Sequence, residues 1–253
     1  MNNTVTSSID RGVCTITLNR PESLNAINRD LLTALKAILR DGNADPAVKV
    51  FVMRGGGRAF CAGQDLKEFE EYAGDEAESR AYLESIQEIT RSMVLGEKLI
   101  VGAIHGWAVG GGLEWLINCD LAIMASDTRC FFPEISLGVF VTGGVSTLLP
   151  KLVGLQKARE LILFGEQFDA QQAQAMGLAW KVVPQTELFS EADAVARRIA
   201  DLPQEAVRDF KRVINRACHM NVEGAMALET EAAVRGFLDP TSTQRTGKFK
   251  KQE

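Results

Sequence analysis

The apolar run Leu99-Ile100-Val101-Gly102-Ala103-Ile104 is followed shortly by Gly110-Gly111-Gly112, and then by Leu113-Glu114-Trp115-Leu116-Ile117. A short apolar run bounded by turn residues reads as a buried strand, and the stretch after the glycines reads as a buried helix. A buried strand feeding a buried helix needs further layers on either side. The flanking segments supply them. Val13–Leu18 reads as a strand rich in β-branched residues, and Arg29–Arg40 as a helix with Leu31, Leu32, Leu35, Ile38 and Leu39 at helical spacing. Val48–Met53 is the next strand, Glu76–Leu95 a charged amphipathic helix and Leu121–Met124 another buried strand. Strands alternating with helices predict an α/β arrangement, with helices layered on a sheet.

The C-terminal third changes character. Lys157–Leu163, Ala170–Met176, Glu187–Leu202, Gln204–Cys218 and Val222–Phe237 all carry helical spacing, punctuated by Gly165, Gly177, Pro184, Pro203 and Pro240. A tail made only of helices cannot extend a sheet, so it is expected to cap the core or to meet another subunit. The expected division is a core over residues 1–185 and a helical segment over 186–253. Neither an internal repeat nor a low-complexity stretch is visible.

With 253 residues and 46% apolar side chains, the chain can bury a substantial core. A net charge of −5 argues against a nucleic-acid partner, and the basic end at Lys248, Lys250 and Lys251 reads as solvated. The five cysteines form no CxxC pair, which suits reduced thiols in a cytoplasmic protein. Met1–Ser8 shows no secretory pattern, and no apolar run is long enough to span a membrane.

Three segments carry potential chemistry. The glycine triplet is either a bare strand-to-helix turn or a set of backbone N–H groups presented to an anion. It lacks the GxGxxG spacing of a dinucleotide site. Glu114 follows it, either as a favourable charge in the first helical turn or as a buried acid–base group with a raised pKa. Glu134 is similarly set, between Phe131-Phe132-Pro133 and Ile135, ahead of the glycine-rich stretch Gly138–Gly144. The third segment is Ala59-Phe60-Cys61-Ala62-Gly63-Gln64-Asp65-Leu66. Two carboxylates beside bare backbone suggest proton transfer through an enolate-like intermediate, which calls for no metal or redox cofactor. Only two histidines exist and His219 lies in the helical tail, so a triad would depend on His105; no GxSxG elbow exists, and zinc motifs are absent. His105 reads as a packed strand-end residue and Cys61 as a small buried thiol.

In order along the chain, Leu18-Asn19-Arg20-Pro21 with Leu24-Asn25-Ala26, the Ala59–Leu66 segment, Ile104–Glu114, Cys119–Ala125, Phe132–Gly138 and Ala173 with Gly177-Leu178-Ala179 resemble the crotonase (enoyl-CoA hydratase/isomerase) superfamily. The resemblance covers nearly the whole chain.

It implies a spiral of ββα units with a C-terminal helical trimerisation region, assembled as a homotrimer or homohexamer. It further implies an oxyanion hole made by the N–H groups of Gln64 and Gly111, and acid–base roles for Glu114 and Glu134. Contacts to coenzyme A would come from Ser23, Leu24, Ala26, Ala62, Gln64, Asp65, Leu66 and Lys67. The coenzyme would enter as part of an acyl-CoA thioester substrate, with no separate cofactor. The activity implied is hydration of a 2,3-unsaturated acyl-CoA. Alternatives are double-bond isomerisation or a silent CoA-binding homologue. Two departures from the family pattern stand out. Thr142 lies near the loop position where many isomerases and hydrolases place an aspartate, and Trp115 with Phe131-Phe132 is bulky enough to narrow an acyl pocket.

Overall fold

A computed structural model describes residues 3–72 and 74–249 of the protein, so Lys250 and Lys251 of the basic end lie outside it. Two compact units emerge, one running to Ala200 and one from Asp201 onward.

In the first unit, six strands form one sheet in the order β1 (Val5–Asp10), β2 (Val13–Leu18), β3 (Val50–Gly55), β4 (Leu99–Ile104), β6 (Leu121–Ala125) and β9 (Lys181–Val183). The β1–β2 pair is antiparallel and every other pairing is parallel. A second sheet holds β5 (Trp107–Val109), β7 (Arg129–Phe131) and β8 (Phe168–Asp169). Successive turns of chain therefore give one strand to each sheet, β4 then β5 and β6 then β7. Single bridges carry the second ladder back to earlier turns, from Cys61 to Ala108 and from Ile27 to Gln64. This is the spiral that the resemblance implies.

Helices close the sheet faces. Helix α1 (Arg29–Ala44) is capped by Asn28, whose side chain accepts the Leu31 N–H, and it buries Leu31, Leu32, Leu35 and Leu39. It meets α3 (Glu76–Val94), which is capped by Asp75 and buries Ile86, Ile89 and Met93. Helices α2 (Leu66–Tyr72) and α4 (Gly111–Ile117) are short and border the site described below. Further helices of the unit are α5 (Val145–Val153), α6 (Leu155–Phe164), α7 (Ala170–Met176) and α8 (Leu188–Ala200).

The structure corrects the reading of the C-terminal third in two respects. First, it is not purely helical, because β9 extends the large sheet alongside β6. Second, α8 lies against β2, β3, β4 and β6 and buries Leu188, Ala192, Ala196 and Ile199, so the compact core ends at Ala200 rather than at residue 185. The physical reason is the apolar stripe of α8. It covers a sheet face that would otherwise expose β-branched side chains.

The second unit contains α9 (Gln204–Ala217), α10 (Val222–Leu238) and α11 (Pro240–Phe249). Helices α9 and α10 are joined by Asp209, which accepts from Arg235 at 2.7 Å and from Arg212 at 3.0 Å. A groove of about 920 Å³ runs along this unit, lined in part by Phe210, Val213, Ile214 and Leu238. Among the described residues, no helix is long and apolar enough to cross a membrane.

Candidate active site

Three stretches of backbone meet where the sequence placed its candidate residues. The segment 23–26 runs beside 62–65, held by Ala62 N–H to Leu24 O (3.0 Å), Ile27 N–H to Gly63 O (2.7 Å) and Asp65 N–H to Ile27 O (2.9 Å). On the other side, Cys61 N–H donates to Trp107 O and Val109 N–H to Cys61 O, both at 3.0 Å. None of these bonds uses the N–H of Gln64. Gly111 opens α4, so its N–H has no acceptor within the helix.

Glycine makes the approach possible. A methyl group on Gly63 would lie 2.9 Å from Val109 O, and one on Gly112 would lie 2.3 Å from Cys61 O. Only a bare Cα lets these turns close to that distance. Gln64 and Gly111 are each within two residues of the contacts so formed.

Both glutamates face this junction from different elements. Glu114 sits on α4 and is almost fully buried. Its Oε1 accepts the Thr142 N–H at 2.6 Å and its Oε2 accepts the Thr142 hydroxyl at 2.7 Å. Burial raises its pKa, and the two Thr142 donors oppose that shift without cancelling it. Glu134 opens the 3-10 turn Glu134–Leu137 after β7. Its Oε2 is buried without a hydrogen-bond partner among the described residues. Burial pushes its pKa up to about 7 against a hydrogen bond from its own backbone N–H, with a smaller push from the charge of Glu114. Gly110, at φ +50°, leaves room for this carboxylate, since a methyl group there would come within 2.5 Å of Glu134 Oε1. Both carboxylates thus have raised pKa values, but Glu114 is held at both oxygens by Thr142 whereas Glu134 keeps one oxygen without a partner. This division suits proton transfer.

The turn that carries Ser23, Leu24 and Ala26 is itself strained. Leu24 and Asn25 both adopt left-handed backbone, at φ +51° and +56°. Asn25 is fully buried and braces the turn: its amide donates to Gly56 O at 2.9 Å and Ala59 O at 2.8 Å, while its Oδ1 accepts the Arg20 N–H at 2.8 Å. Arg20 also donates to Ala26 O and to the Asp65 carboxylate. Asp65 further accepts the Lys67 N–H at 3.2 Å, at the start of α2. Among the implied coenzyme contacts, Asp65 therefore has its carboxylate engaged within the protein. Ser23, Leu24, Ala26, Ala62 and Gln64 are half-buried on the facing segments, and Leu66 and Lys67 stand exposed on α2.

Other candidates prove structural. Cys61 is fully buried and its thiol is pushed up to about 12, which removes it as a nucleophile at neutral pH. His105 is buried, contacts Gly57 O through Nε2 at 3.0 Å and meets Phe189 edge-on at 5.6 Å. Trp115 and Phe132 belong to the hydrophobic core, so their bulk is used in packing. The brace formed by Arg20 and Asn25 and the clamp formed by Thr142 were not assigned from sequence. The available signal was an asparagine inside a turn closed by Pro21, a position suited to left-handed backbone.

The sequence matches the family described as Enoyl-CoA hydratase/isomerase over residues 8–246. The protein belongs to that family. It is 34% identical over 221 residues to the short-chain-enoyl-CoA hydratase of Clostridium acetobutylicum, covering 87% of this chain and 84% of that one. Identity to the crotonyl-CoA hydratase of Syntrophomonas wolfei is also 34%, over 231 residues, covering 91% and 87% of the two chains. The crystal structure of an enoyl-CoA hydratase from Mycobacterium smegmatis superposes with a TM-score of 0.93 at 28% identity, over 99% of this chain and 97% of that one. Membership of the family agrees with the two-sheet spiral.

Proposed function

We propose that the protein is an enoyl-CoA hydratase that adds water across the 2,3 double bond of an acyl-CoA thioester. The observation that carries this reading is the asymmetry between the two carboxylates, buried Glu114 held at both oxygens by Thr142 and half-buried Glu134 with one oxygen left without a partner. The names of the similar hydratases support short 2-enoyl thioesters as the substrate class.

In the proposed cycle the thioester oxygen lies on the N–H groups of Gln64 and Gly111, which stabilise it as it gains negative charge. Glu114, as carboxylate, takes a proton from water while the water oxygen bonds to C3. The C2–C3 π electrons move toward the thioester and form the enolate. Glu134, as carboxylic acid, then gives its proton to C2. Water has been added, and a proton passing from Glu114 to Glu134 restores the starting state. The segments 23–26 and 62–67 would hold the coenzyme portion, mainly through backbone groups and the exposed side chains of α2. The coenzyme enters and leaves with the substrate, and no separate cofactor takes part.

The five free cysteines support a reducing, cytoplasmic compartment. Exposed apolar side chains on the second unit, among them Phe210, Ile214, Phe237 and Leu238, support burial against further copies of the chain in a trimer or hexamer.

The test is absorbance at the enoyl-thioester band with crotonyl-CoA as substrate. Loss of the band with formation of the 3-hydroxyacyl thioester is expected. Turnover of a 3-enoyl thioester without hydration would instead assign an isomerase. Inertness toward acyl-CoAs of every chain length would leave a silent CoA-binding protein.

A further inference from the structure

Building on the hydratase reading, we propose that Thr142 is a positioning residue whose side-chain hydroxyl holds the Glu114 carboxylate in the orientation from which it takes the proton of water.

The geometry is specific to this side chain. The Thr142 N–H donates to one oxygen of Glu114 at 2.6 Å and the hydroxyl to the other at 2.7 Å. A single donor would leave the carboxylate free to turn about its last bond, whereas two donors on two oxygens fix its plane. Any non-proline residue at position 142 could supply the N–H. Only a short hydroxyl side chain supplies the second donor at this distance, and β-branching restricts its rotamer. Each oxygen of an ionised carboxylate keeps a lone pair beyond the one already used, so Glu114 can still accept a proton from water.

The loop is shaped for this contact. Gly143, at φ +57°, follows Thr142, and a methyl group there would lie 2.9 Å from both Cβ and Oε2 of Glu114. Gly144, at φ +72°, then opens α5. Two successive left-handed glycines press the loop onto Glu114 and turn it back toward the core.

Among the described residues, no other hydrogen-bond donor to Glu114 takes the place of Thr142. The titratable groups that interact with Glu114 are Glu134, on the turn after β7, and the buried Cys61 thiol, beside the Gly63 turn. Both disfavour its charge or leave it unaided, and the opposing hydrogen bonds both come from Thr142. Removing the hydroxyl therefore frees the carboxylate to rotate and makes its ionised form harder to keep.

The experiment compares Thr142→Val, which keeps shape and backbone N–H, with Thr142→Ser, which keeps the hydroxyl. Thr142→Val should lower kcat on crotonyl-CoA by about 10- to 100-fold while KM changes by less than about threefold. The acidic limb of its kcat/KM profile should move to higher pH, because the base must lose its proton before it acts. Thr142→Ser should recover activity to within about threefold of wild type. Circular dichroism and CoA binding establish that each variant is folded, and Thr142→Ala serves if the valine variant is not. A folded valine or alanine variant with wild-type kcat and pH profile overturns the proposal. So does a serine variant no better than valine, which would make the residue's bulk the relevant property. A wild-type enzyme that hydrates no enoyl-CoA would sink the hydratase reading itself, and this proposal with it.

Discussion

Arg20 and Asp65, far apart in sequence, form an ion pair at 2.9 Å, with side chains only 15% and 14% exposed. The pair binds the left-handed turn at Leu24-Asn25 to the start of α2, and so ties together two segments that border the Gln64 N–H. Its position between them makes it a support for the site as well as for the fold.

Breaking one side of a pair this buried leaves the other charge uncompensated. Arg20→Met and Asp65→Asn should each destabilise the protein by about 3 kcal/mol, measured by urea unfolding. The double variant should lose clearly less than the two single losses combined, because neither charge is then stranded. Simple additivity would mean that the residues act separately.

The paired carboxylates predict large kinetic losses. Glu114→Gln and Glu134→Gln should each reduce turnover by about 10² to 10⁴, with far smaller effects on CoA affinity. Near-native hydration by either variant would remove that residue from the chemistry.

Glu134 also sets a pH dependence. It must be protonated to deliver a proton to C2, and its pKa is pushed up to about 7. The kcat/KM profile should therefore fall as pH rises through about 7, and this basic limb should be missing from the residual activity of Glu134→Gln. Stability should follow the same sign. A folded-state pKa raised above the ordinary 4.5 means that the stabilising contribution of the neutral acid is present below pH 4.5 and lost as pH rises toward 7. Glu134→Gln should consequently gain stability relative to wild type between pH 5 and pH 8, as read by thermal unfolding at the two values.

Gln64 separates backbone from side-chain chemistry. If its N–H holds the thioester oxygen, Gln64→Ala should keep most activity, whereas Gln64→Pro should lose about 10² to 10³ because proline has no N–H. Circular dichroism and CoA binding on the proline variant exclude simple unfolding. A dead alanine variant that still binds CoA would shift the role to the amide side chain.

The exposed apolar residues of the second unit predict assembly. Light scattering should give about three or six times 27.6 kDa, and a stable, active monomer at micromolar concentration would contradict it.

Much of the fold was legible because its signals are local. The apolar runs of β2, β3, β4 and β6, and the leucine spacing of α1, appear within windows of a few residues. The glycines around Glu114 and the aromatic–proline setting of Glu134 were equally visible, so both carboxylates could be named from sequence. Tertiary structure decided what local pattern does not encode. Strands of three residues such as β5, β7 and β9 are too short to show a period, and their existence depends on the neighbours they pair with. The apolar stripe of α8 shows that it must be covered, but only the assembled sheet shows by what. The bonds from Arg20 to Asp65 and from Thr142 to Glu114 span 45 and 28 residues, and a polar side chain carries no mark of a partner at that separation. The sequence by itself named the residues to which the chemistry is assigned in the proposed cycle. Folding decided which of two similar carboxylates is held at both oxygens and which keeps an oxygen without a partner, because that difference lies in burial and hydrogen bonding supplied by distant segments.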